Sequence, residues 1–207
     1  MKYFREKLSS NNVKERIIWA IILFFIFFFS IVIISYYFLP EGLLKNKNPA
    51  QNWNFSDSAV VLTLQIFFYN LISVVIIFLT SLFANKKSDE KEYLSVGYTV
   101  FYTLIAINAA VLGSWSFSVE TTPPSLLSRI LGTFNLINRA ALWEMIGQLL
   151  ITCATSKIAV IKSCGKQTIK SSLKETKLEK SEKIIFLTGI ILMLIGAIIE
   201  SIAINKL

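Results

Sequence analysis

A chain of 207 residues that is 54% hydrophobic, with a mean hydropathy of +0.61, is too apolar for a water-soluble domain with an ordinary charged surface. Its formal net charge of +8 comes from 21 Lys+Arg against 13 Asp+Glu, yet most of the basic residues fall in three short polar segments between long apolar runs. That is the pattern of membrane topology signals rather than of a nucleic-acid surface, and the absence of histidine excludes histidine acid/base catalysis and histidine metal ligation within this chain.

The expected fold class is all-α, a polytopic transmembrane helical bundle of about five spans. Residues 1–16 carry Lys2, Arg5, Lys7, Lys14 and Arg16 and precede an apolar run over 17–39. The run is about twice the length of a cleavable signal core, and no small-x-small site follows Ser35-Tyr36-Tyr37-Phe38, so a retained helix is expected. Asn54-Phe55-Ser56 is a glycosylation sequon in the next loop, which makes Asn54 a candidate acceptor. Further spans are expected over 58–84, 94–115, 136–161 and 184–204, each able to cover a core of ~30 Å. Residues 121–135, with Pro123-Pro124 and Arg129, are too short to cross and predict an interfacial or re-entrant helix. Cys153 and Cys164 match no metal-site spacing and read as apolar filler and a loop thiol; no metal and no cofactor is expected.

Orientation follows from the connections. The amino-terminal segment holds five Lys or Arg, the loop with Lys86, Lys87 and Lys91 three, and the 162–183 loop seven, against Lys45, Lys47, Arg129 and Lys206 opposite. The amino terminus is therefore expected in the cytoplasm and the carboxyl terminus outside. Lys162, Lys166, Lys170, Lys174 and Lys177 recur near helical period, as in a charged extension of the fourth helix. They either fix topology or meet lipid head groups or an acidic partner.

Inside the apolar runs, polar groups mark where function is best sought. Glu144 shares a helical face with Ala141, Gln148, Thr152, Thr155 and Ala159; Glu200 aligns with Gly189, Gly196 and Ala203. Glu144 and Glu200 are expected at similar depth toward the outer surface, with Arg139 in reach of either. Asn70, with Thr63, Ser73 and Thr80, and Asn108, with Ala109 and Gly113, supply stripes on the second and third spans. Spans two to five should bundle with these stripes inward, whereas the Phe-rich first span should be a peripheral helix against lipid or a partner. The Arg139, Glu144, Gln148 and Glu200 cluster reads as a docking element between helices, as part of a path for protons, ions or a small solute, or as a partner contact. No catalytic residue is expected, because no serine or cysteine stands in an activation context and no metal set is present.

Ile195-Gly196-Ala197-Ile198-Ile199-Glu200 resembles the last span of the stage II sporulation protein M family, and the resemblance extends over roughly residues 67–205. Asn138-Arg139-Ala140-Ala141-Leu142-Trp143-Glu144 is similar to that family's Pro-His-Gly, two residues, then Glu, although only Glu144 matches and Arg139, Ala140 and Ala141 replace the other three. Asn70 and Asn108, with Gly113, resemble the asparagines of that family's middle spans. The resemblance implies a non-enzymatic membrane scaffold or assembly subunit with other subunits, or copies of itself, as partners. The alternative is a permease- or channel-type subunit using the Glu/Arg cluster.

Overall fold

The computed structural model describes residues 2–45, 47, 56–116, 123–132, 136–172 and 176–204, with backbone alone at 136–139. These residues form seven helices and four short strands: α1 (Lys2–Leu8), α2 (Val13–Phe38), α3 (Ala59–Ser81), β1 (Phe83–Lys86), β2 (Leu94–Ser95), α4 (Val96–Gly113), α5 (Leu126–Gly132), α6 (Leu136–Thr155), β3 (Ile161–Cys164), β4 (Gln167–Lys170) and α7 (Lys180–Ile204). By length and composition α2, α3, α4 and α7 can each cross a membrane, and α6 carries a shorter apolar stretch over Ala140–Thr155.

Local chemistry sets the helix ends. The Asn12 side chain accepts from the Lys14 amide to cap α2, and the Ser95 hydroxyl accepts from the Gly97 amide to cap α4. At the far end of α2, Leu39 leaves helical backbone before Pro40 while its amide still reaches the Ser35 carbonyl. In α2, Ala20, Phe24, Phe28 and Val32 are buried at four-residue spacing, with Ile18, Ile22 and Ile26 exposed on the opposite side. The buried stripe packs against α4 and α6, Phe24 stacking on Phe28 with ring centroids 5.7 Å apart. The first span is thus part of the core, and the expectation of an appended anchor gives way to a helix with one lipid-like face and one packed face.

Helix α6 is central. It touches α2, α3, α4 and α7, and its closing residues 151–155 are all buried. Its tightest partner is α7, where Gly147 and Gly189 face each other. A methyl group on either would lie 2.6 Å from the other's carbonyl oxygen, so only glycine permits this approach.

The sheet is a departure from the all-α expectation. Helices α3 and α6 run the same way, so the strands that continue them, β1 and β3, pair in parallel with Phe83 opposite Ile161. The sheet order is β2-β1-β3-β4. The expected helical extension over Lys162, Lys166 and Lys170 is replaced by the β3–β4 hairpin, which turns at Gly165 with φ +59. Lys162 lies on β3, Lys166 in the turn and Lys170 on β4, so their spacing of four follows the hairpin and not one helical face, and Gly165 breaks the helix.

Candidate functional site: a polar cavity within the helical bundle

Glu144 lies on the buried face of α6 and is only 9% exposed. The absence of a side chain at Gly196 gives it room, since a methyl group there would come within 2.7 Å of the Glu144 Cγ. Glu144 lines a cavity of about 260 Å³ with Gln148 from the same helix, Asn70 from α3, Asn108 from α4 and Glu200 from α7. Phe28 of α2 and Met145 supply apolar wall. A second cavity of about 370 Å³ shares Asn70, Asn108 and Gln148 with the first and continues to Ser73, Tyr69 and Lys47. Lys47 belongs to the α2–α3 connection, which is fastened over the end of α4 by the Gly42 amide on the Ser114 carbonyl at 2.9 Å and the Leu44 amide on the Ser116 hydroxyl at 3.0 Å.

Four helices therefore converge two carboxylates and three amide side chains on one space. Oε1 of Glu144 is buried and has no hydrogen-bond donor among the described residues, although Asn70 and Glu200 are polar neighbours of the side chain. An acceptor oxygen left without a donor at such depth costs several kcal/mol, on the order expected for an unpaired buried polar or charged group. A guest bearing a positive charge or N–H and O–H donors gains most from meeting it. The amides of Asn70, Asn108 and Gln148 can each present a carbonyl oxygen or an NH₂ group to that guest.

The sequence-predicted cluster is largely assembled. Glu144, Gln148 and Glu200 share the cavity, and Asn70 and Asn108, expected as separate stripes, join them. Arg139 is on α6, but its side chain lies outside the described residues, as do Asn54 and Lys174. Lys162, Lys166 and Lys170 lie on the hairpin and Lys177 just before α7. Thr152 and Thr155, placed on the Glu144 face, are buried and bond back to the carbonyls of Gln148 and Ile151.

A set of charge pairs at the two ends of the bundle escaped the sequence reading. At the basic end, the Arg16 guanidinium donates to Glu182, joining the starts of α2 and α7, and both side chains are buried. Arg5 bonds Glu90 with both nitrogens of its fork, and Lys157 donates to the Ser9 carbonyl at 2.6 Å and lies 3.3 Å from Glu92. At the opposite end Arg129 is buried under α5, donating to the Gly113 carbonyl at the end of α4 and, at 2.9 Å, to Glu41, with Tyr36 and Trp115 rings beside it. The available signal was depth: Arg16 and Glu182 each begin an apolar run at the same end.

Comparison with known protein families, with curated proteins and with solved structures finds no match to this chain.

Proposed function

We propose that the chain is a five-span cell-membrane subunit of the permease or channel type, with its basic end in the cytoplasm and its cavity in the outer half. In this reading α6 is the fourth crossing and the carboxyl terminus lies outside. The observation that carries the proposal is the buried Oε1 of Glu144, without a donor among the described residues, in the same cavity as Glu200. Among the described residues two carboxylates face one exposed cation, Lys47, a balance that favours a small cationic guest. The chain's own chemistry is binding and passage, not catalysis, with neither cofactor nor nucleic acid involved.

The test is flux into vesicles reconstituted with the purified protein, measured for Na⁺, K⁺, H⁺ and methylammonium. One of these should pass above protein-free vesicles, and Glu144→Gln or Glu200→Gln should abolish it. Flux intact in both variants removes the carboxylates from the path, and no flux for any of the four overturns the permease reading.

A second reading, a non-enzymatic scaffold or assembly subunit, draws on Asn108. This amide lines the cavity and is at the same time exposed at the surface of α4, where a neighbouring chain would satisfy it. Association seen in mild detergent and lost in Asn108→Leu would favour that role; a monomer without partners would count against it.

A further inference from the structure

Beyond the outer-half cavity, the basic end holds a separate pocket of about 190 Å³ where four pieces of chain meet. Asn11 comes from the α1–α2 connection, Tyr93 and Glu92 from the β1–β2 connection, Ser156 and Lys157 from the turn just past α6, and Lys162 from β3. Most acidic groups at this end are already engaged: Asp89 by Lys2, Glu90 by Arg5, Glu15 by Lys7 and Glu182 by Arg16. Among the described residues Glu92 is the acid that lines the pocket, 3.3 Å from Lys157 and with its side chain 46% exposed. Opposing it are Lys157, Lys162 and, 4.8 Å over the Tyr93 ring, Lys86. Burial pushes the Lys157 ammonium below its ordinary pKa against the pull of Glu92, and Arg16 and Lys162 add to the lowering. Positive charge here is under-compensated, and an anion would relieve it.

We infer that this pocket binds a phosphate group, held by Lys157 and Lys162 with Asn11 and Tyr93 as further donors. Its position at the junction of apolar helices and polar sheet is the depth at which a bilayer carries its phosphates, so the source is either an anionic lipid head group or a soluble phosphate. The site is narrower than a diffuse lysine stripe, because Lys166, Lys170 and Lys177 do not line it.

The full chain is placed in nanodiscs of mixed phosphatidylglycerol and phosphatidylcholine, and co-purifying lipid is quantified after delipidation in steps. Lys162→Gln should reduce retained phosphatidylglycerol about fivefold, on the scale of one juxtamembrane lysine, while Lys166→Gln, an equal charge change on the exposed turn, should leave it unaltered. A parallel arm titrates inorganic phosphate into lipid-free protein in detergent and follows thermal stability. Retention of lipid with no response to phosphate assigns a head-group site, and a response to phosphate lost in Lys162→Gln assigns a soluble ligand. Equal losses in Lys162→Gln and Lys166→Gln, or no preference in either arm, overturn the site. Lys157→Gln is the weaker variant, since Lys157 also holds the Ser9 carbonyl, and the thermal stability of Lys162→Gln without phosphate separates a lost site from a damaged fold.

Discussion

Arg16 has no exposed side-chain surface, and its guanidinium is shared between Glu182 and, at 3.1 Å, the Ser10 carbonyl. Charges withdrawn from water this far owe their stability to each other, so removing one partner leaves the other buried and unpaired. Arg16→Ala should therefore destabilise the protein by about 3–5 kcal/mol, whereas the double change Arg16→Met, Glu182→Leu, which removes both charges, should cost less. Denaturant unfolding in detergent measures both. A loss under about 1 kcal/mol for the single variant would mean that the pair is solvated like a surface bridge. In the sequence Arg16 counts only as one more topology charge, because nothing local to it names Glu182, 166 residues away. Glu144 is different. Its own helix already supplies the stripe of small and polar neighbours that marks it, while the donorless oxygen becomes visible only when Asn70, Asn108 and Glu200 arrive from three other helices.

The elements differ in how much of them is local. Long apolar runs announce α2, α3, α4 and α7, because covering a hydrocarbon core demands length and composition that sequence displays directly. The four-residue strands β1 and β3 display neither, and their pairing joins segments separated by the whole of α4, α5 and α6. Helix α1 is likewise held from a distance. Arg5 bonds Glu90, Lys2 pairs with Asp89, and Tyr3 and Phe4 pack edge-on against Trp19. The hydrogen bond from Arg5, reinforced by the Lys87 amide, outweighs burial and holds the Glu90 carboxyl down to about 2 from its ordinary 4.5. A lowered folded-state pKa contributes stability that is complete above pH 4.5 and lost as pH falls toward 2. Amide exchange in α1, corrected for its intrinsic pH dependence, should thus be flat above pH 4.5 and accelerate below it. In Glu90→Gln the acid-induced step should vanish and α1 should exchange faster throughout; an unchanged step would assign the docking to another carboxylate.

For the molecule as a whole, the proposed orientation can be read with its own thiols. Cys164 is half-buried at the end of β3, and Cys153 is buried within α6. A membrane-impermeant maleimide should label Cys164 in inside-out vesicles and not in intact cells; labelling from outside would reverse the topology. The enclosure of α6 has a consequence for biogenesis. Wrapped by α2, α3, α4 and α7, this helix is solvated by protein more than by lipid, and so it can carry Glu144, Gln148 and two threonines where a solitary span could not. The same composition makes it a poor candidate for stable insertion when it leaves the ribosome. Its glycine contact belongs to α7, which follows it in the chain. On the proposed five-span reading, α6 and α7 would enter the membrane as a hairpin, and the carboxylate cavity is complete only when Glu200 reaches the helix that carries Glu144.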